Sequence, residues 1–327
     1  MVSSELNSGG LLASMKTCRR LHDIASRLLY RHIYASDSRG RSFLRAIIGT
    51  KQDYGTCVRT LRYQATGYLY SDDLCDVLRK ALERMPRLLE LHLDVAHQRP
   101  QPLDPWSLSH SSGAVELSCL TRVSIYGSAR YFGMVSYGGV TTVDVRRPMH
   151  WSTFERFLSL MRLGGGSKNV GVCNLTLSLK RDLGCCVDMV FNDVHQVFPN
   201  LANLVIRAPD VNALTATEFL ECRPSAFKHL ESLVINDFMS GDPTFNTPKE
   251  VSLPLQRRHI QVAGKTRPYL RRLSFGGMIH WSRDLKGSWV VREERERDEQ
   301  MLSRLKLEDY DDGLLFWSTV RYESSTS

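Results

Sequence analysis

The sequence predicts an α/β chain built as a repeat array, a solenoid with a parallel sheet on its concave side and helices on its convex side. Two observations carry that expectation. A six-residue pattern, apolar-x-x-apolar-x-apolar, recurs eight times, and stretches of helical periodicity separate several of its copies. The copies are Val58/Leu61/Tyr63, Leu88/Leu91/Leu93, Leu120/Val123/Ile125, Val140/Val143/Val145, Val172/Leu175/Leu177, Leu201/Leu204/Ile206, Leu230/Leu233/Ile235 and Leu270/Leu273/Phe275. Between their middle residues the intervals are 30, 32, 20, 32, 29, 29 and 40. Each copy alternates as a short half-buried strand does, behind an apolar residue that packs beneath it.

The helical stretches come next. Residues 73–85 place Leu74, Val77, Leu78, Ala81, Leu82 and Met85 on one stripe, and 153–163 do the same with Phe154, Phe157, Leu158, Leu160 and Met161. Residues 187–198 repeat the pattern, and 215–222 give a shorter version. Pro86 and Pro199 end two of these helices and set up extended backbone before the next strand.

One such unit cannot bury its apolar face alone, so neighbours must stack into a continuous core. Strand, loop, helix and loop at about 30 residues resembles irregular leucine-rich repeats. The asparagine ladder of regular repeats is missing, since Ala96, Lys180 and Pro209 stand where it would be. The uneven intervals imply a twisted or kinked arc. Three segments interrupt the array, 97–118, 127–139 and 240–267, and read as rim insertions, either binding loops or mobile excursions. Residues 292–299, charged at every position, read as a solvated helix, and 314–320 as a capping strand.

The amino-terminal stretch, 11–34, is of another kind. Leu12, Met15, Cys18, Leu21, Ile24, Ala25, Leu28 and Leu29 keep helical spacing, followed by Tyr30 and Ile33. This run resembles the second half of an F-box. Together with the array behind it, the chain resembles fungal F-box proteins with irregular leucine-rich repeats. The Leu-Pro opening of that motif is missing, with no proline before Pro86. The organisation expected is 1–50 as a helical F-box-like segment and linker, 51–280 as the solenoid, and 281–327 as a charged helix and cap.

The resemblance implies a substrate receptor of a cullin-type ubiquitin ligase. An Skp-type adaptor protein would dock on Leu12, Met15, Leu21, Ile24, Leu28 and Leu29, and an unknown target protein on the repeat arc. The alternative is a leucine-rich-repeat scaffold without ubiquitin-ligase function. On the strands, positions that alternate with the buried ones face away from the core. Arg62, His92, Asp94, Tyr126, Asp144, Arg146, Arg207 and Asn236 are the partner-binding candidates among them, since Arg and Tyr are favoured interface anchors. Val205 and Val234 interrupt the polar trend and predict an apolar spot or a covering loop.

Composition excludes several classes. Among 327 residues, 43 Lys+Arg stand against 35 Asp+Glu, a net charge of +8, and the basic pairs lie far apart, so no nucleic-acid surface is expected. No stretch approaches the roughly 20 apolar residues of a membrane helix, and residues 1–10 do not resemble a signal peptide. Eight cysteines offer no CxxC spacing, and HExxH and GxSxG are absent. The run from Gly164 to Lys168 fails the spacing of a phosphate loop, and Asp309, Asp311 and Asp312 lack the rest of a calcium loop. The expectation is a non-enzyme without metal or cofactor, monomeric outside its complex, in the cytoplasm and/or nucleus.

Overall fold

The computed structural model of the chain describes residues 13, 16–50, 53–65, 73–95, 115–127, 129–135, 137–146, 148–165, 171–180, 187–208, 213–236, 253–275, 279–284 and 286–293. Eleven strands lie side by side in chain order. They are β1 (His32–Ser36), β2 (Thr60–Ala65), β3 (Glu90–Val95), β4 (Arg122–Gly127), β5 (Thr142–Val145) and β6 (Asn174–Ser178). The rest are β7 (Asn203–Arg207), β8 (Ser232–Asn236), β9 (Arg272–Phe275), β10 (Ile279–Arg283) and β11 (Trp289–Glu293). β1 to β9 are parallel, and β10 and β11 turn back antiparallel.

The eight apolar signatures are β2 to β9. Their middle residues, Leu61, Leu91, Val123, Val143, Leu175, Leu204, Leu233 and Leu273, pair in one unbroken row. All of that row is buried to 2 % exposure or less, and each such side chain contributes about 1.5–3 kcal/mol by leaving water. Among the described residues, seven helices of at least ten residues complete an α/β, repeat-like fold. They are α1 (Arg19–Leu29), α2 (Asp37–Gly49), α3 (Asp73–Glu83), α4 (Trp151–Gly165), α5 (Val187–Val197), α6 (Ala213–Cys222) and α7 (Leu253–Thr266). Their apolar stripes and the inner row of the sheet form one continuous core.

A repeated backbone device sets the spacing. At six of the eight signatures the first apolar residue donates its N–H to the carbonyl three places back, as in Leu88 to Met85 (3.0 Å) and Leu230 to Phe227 (3.1 Å). The next two N–H groups then share one carbonyl of the preceding repeat. Arg59 accepts from Leu89 and Glu90, Leu89 from Thr121 and Arg122, and Glu231 from Arg271 and Arg272. A carbonyl has two lone pairs, so the double acceptance satisfies both donors.

Several expectations need correction. The helix expected over 11–34 ends at Leu29, and Ile33 is an inward residue of β1, which pairs with β2. A two-residue alternation, with Ile33 and Ala35 buried, wins over helical periodicity once a neighbouring strand is available. Residues 129–134 form a 3-10 turn whose Tyr131, Phe132 and Met134 are buried, so this insertion is core in place of a rim loop. Phe132 packs edge-on to Phe157 of α4 (4.7 Å). The 240–267 insertion holds α7. Arg292 and Glu293, expected in a helix, belong to β11. The strand expected at 314–320 lies outside the described residues.

Candidate protein-interaction surface

The helices cover one face of the sheet, and the other is built from every second strand residue. Along its middle row the register sets Tyr34, Arg62, His92, Ser124 and Asp144 side by side on β1 to β5. One row further on come Gln64, Asp94 and Tyr126. One row back come His32, Thr60, Glu90, Arg122 and Thr142. Chain-order pairing thus gathers residues more than 100 positions apart.

The side chains interlock. The Arg62 guanidinium lies over the Tyr34 ring, 5.1 Å from its centre. The Glu90 carboxylate meets His92 Nε2 at 3.3 Å and Arg122 at 3.8 Å. Since a carboxylate only accepts, His92 carries its proton on Nε2 and leaves Nδ1 as an acceptor. Arg146 Nε donates to Asp144 Oδ2 at 2.7 Å, and Ser124 Oγ reaches the same oxygen at 3.5 Å. Burial pushes the His92 pKa down, its bond to Glu90 opposes this, and the charges of Arg62 and Arg146 add to the fall. His92 is therefore neutral at physiological pH. Asp144 Oδ1 and Arg62 Nε are buried without a hydrogen-bond partner. Tyr34 and Tyr126 remain 57 % and 41 % exposed, flat anchors beside this charged patch.

The face changes character at β6. Asn203 Nδ2 donates to Asn174 Oδ1 (2.6 Å), and Asn174 Nδ2 donates to Thr142 Oγ1 (3.1 Å), a self-contained polar ladder. Val205 and Val234 pair beside it as the expected apolar spot, half-buried, with Ser274 buried next to Val234. Arg207 is half-buried on β7, opposite the backbone of Asn236, whose side chain lies outside the described residues.

The structure therefore brings Arg62, His92, Asp94, Tyr126, Asp144 and Arg146 onto one patch and sets Arg207 apart on β7, with β6 between. Sequence reasoning missed Tyr34 because β1 was read as helix. It also missed Glu90 and Arg122, which sit at the first position of their strands. The parity of Glu90 with His92 was the signal available.

A second surface lies on α1. Ala25 and Ser26 are buried, and Tyr30, just past the helix end, stacks on Tyr54 at 4.6 Å. Leu21 and Ile24 are 43 % and 47 % exposed, while Leu28 and Leu29 are half-buried. Leu12 and Met15 lie outside the described residues. Among the described residues no three His, Cys, Asp or Glu side chains gather as metal ligands, and no helix is long and apolar enough to cross a membrane. Compared with known proteins, the chain matches no family model and no curated protein.

Proposed function

We propose that the chain is a non-catalytic interaction protein, an irregular leucine-rich-repeat solenoid of the F-box type. It holds a target protein on the helix-free face of its sheet and an Skp-type adaptor on α1. The observation that carries the adaptor reading is the pair Leu21 and Ile24, apolar and exposed on a helix whose other side is already packed. Two exposed apolar side chains one turn apart match the i, i+3 anchors of helix-mediated docking. On the sheet, Tyr34, Arg62, Tyr126 and Arg146 supply the residue types that dominate interface energetics, around a polar cluster that fixes orientation. The mechanism is proximity: a tethered target presents its lysines to a conjugating enzyme at high effective concentration.

The test is co-purification of the full chain with an Skp-type adaptor, wild type against Leu21→Asp with Ile24→Asp. Both positions are exposed, so the fold is retained, and recovery of adaptor should fall at least tenfold, about 1.4 kcal/mol. Equal recovery would remove the ligase reading and leave a repeat scaffold that uses the sheet face alone.

A further inference from the structure

The far end of the sheet carries a feature that the proposed function does not use. Residues 253–293 hold nine basic side chains and two acidic ones, a net of +7 against +8 for the whole chain. Part of that charge lines an open cleft of about 630 Å³ between α7 and the β10–β11 hairpin. Arg257, Gln261 and Lys265 are spaced four apart, so they stand on one face of α7. Arg283, Ser288 and Trp289 come from the hairpin opposite.

The local structure holds these groups in place. Arg283 donates from Nε to Gly287 O (3.0 Å) and from one terminal nitrogen to Pro268 O (3.1 Å), which orients its guanidinium. Gly287 has φ +85°, a conformation glycine takes without strain, and closes the hairpin. The acid nearest in sequence, Asp284, uses Oδ1 to accept the N–H groups of Lys286 (2.9 Å) and Ser288 (2.7 Å). Among the described residues, none of Arg257, Lys265 and Arg283 has a carboxylate within 4.0 Å. Gly264, in the last turn of α7, lets the Trp289 indole come close to the helix, since a Cβ there would stand 2.7 Å from Nε1. A side chain at this position would displace the ring, so the close approach is what the glycine secures.

From this geometry we infer that the cleft binds a phosphate monoester carried on an organic body. Three cations from two elements line one space: the Arg257 guanidinium fork matches phosphate oxygens two at a time, Lys265 adds a point charge, and Arg283 adds its other terminal nitrogen. The volume falls in the range of small-molecule sites and exceeds what a bare anion fills, while the indole offers a flat apolar wall. The phosphate can come from a free metabolite or from a phosphorylated side chain of a partner, and the same groups would recognise either.

The experiment titrates the full chain with phenyl phosphate, inorganic phosphate and benzoate, followed by calorimetry and by the phosphorus NMR signal. A phosphoserine peptide forms a fourth arm. Phenyl phosphate should saturate, bind more tightly than inorganic phosphate, and bind more tightly than benzoate. Arg257→Gln with Lys265→Gln, both exposed positions, should weaken it at least tenfold with unchanged circular dichroism. Affinity should also fall on acidification below pH about 6, where the ester loses its second charge. A peptide that binds with the same dependence on the variant assigns the phosphate to a partner protein; a silent peptide assigns it to a metabolite. Absence of saturation, equal binding by the double variant, or equal affinity for benzoate would overturn the inference. None of these arms involves α1 or the charged patch on β1 to β5, so failure here leaves the proposed function standing.

Discussion

The two ends of the sheet solve the same problem with different side chains. A parallel sheet ends in unpaired strands that must be blunted or covered. At the beginning, β1 is a short strand with Ile33 and Ala35 turned inward, flanked by α1. That end leaves apolar groups in solvent: Leu21, Ile24 and the ring of Tyr34. At the other end the chain reverses through β10 and β11, and Trp281 is sealed against α7 by its Nε1 bond to Gln256 (3.0 Å). That end leaves Arg257 and Lys265 exposed, beside Tyr269 and Val290. Each cap thus covers its edge with a different residue set, and the two surfaces proposed above lie one at each end.

The largest effect expected at either end is at Arg267. Its side chain is fully buried, and its terminal nitrogens donate to Leu220 O (2.7 Å), Arg223 O (2.8 Å) and Ala226 O (3.0 Å). Those carbonyls close α6 and the turn after it, so one guanidinium does the work of a C-terminal cap. Burial lowers its pKa to about 10, which leaves it charged at neutral pH. Arg267→Met keeps the volume and takes the guanidinium from three carbonyls, of which only Arg223 O keeps a second donor, the Ala226 N–H at 3.0 Å. It should cost about 3–5 kcal/mol in urea unfolding. Lysine, without the fork, should restore only part of that loss.

The matching break near the beginning is Gly55→Ala. Gly55 sits in the turn before β2, and an added Cβ would run into the Arg84 carbonyl at the end of α3. Backbone cannot step aside as a side chain can, so a loss of about 2–3 kcal/mol is expected. If Gly55→Ala proves harmless while Arg267→Met does not, the two ends differ in rigidity as well as in chemistry.

A third measurement separates the ends by pH. His92 has a pKa lowered by burial, so the folded chain resists its protonation where the unfolded chain accepts it. The unfolded state then binds more protons below pH about 6.5, and stability is full above that pH and declines as pH falls through the lowered value. His92→Gln should flatten the decline in unfolding midpoints between neutral and mildly acid solution. A residual slope is expected from His195, whose pKa is also lowered by burial and by the charge of Arg267.

The strand order was readable because each signature is local, whereas the caps were not. Leu61, Leu91 and their equivalents announce themselves by alternation, and stacking them in sequence is the simplest way to bury them. The helix α7 stayed hidden because Gln256 on its inward side and Arg267 just past its end are polar, and their partners, Trp281 Nε1 and the Leu220 carbonyl of α6, lie 25 or more residues away. Binary patterning cannot register a buried guanidinium. The charged patch was half legible, since parity identifies the outward residues. Which of them touch depends on a register that no single strand contains.

The smallest effect compares two arginines, each poised over an aromatic ring at one end. Arg62 sits 5.1 Å from the Tyr34 ring centre and is half-buried, whereas Arg257 sits 6.0 Å from that of Trp281 and is exposed. Attraction between a cation and a ring fades near 6 Å and is worth about 0.5–1 kcal/mol at exposed sites. Arg62→Gln should therefore cost about 0.5–1 kcal/mol, and Arg257→Gln less than about 0.5 kcal/mol. Each single variant also changes desolvation, because Arg62 Nε is buried without a partner. A double-mutant cycle with Tyr34→Leu isolates the ring contact. A coupling at Arg62 near zero would mean that the cation is held by its place in the row and not by the ring. A large loss at Arg257 would mean that this residue holds the hairpin to α7, a structural duty that exposed charge at that end is not expected to carry.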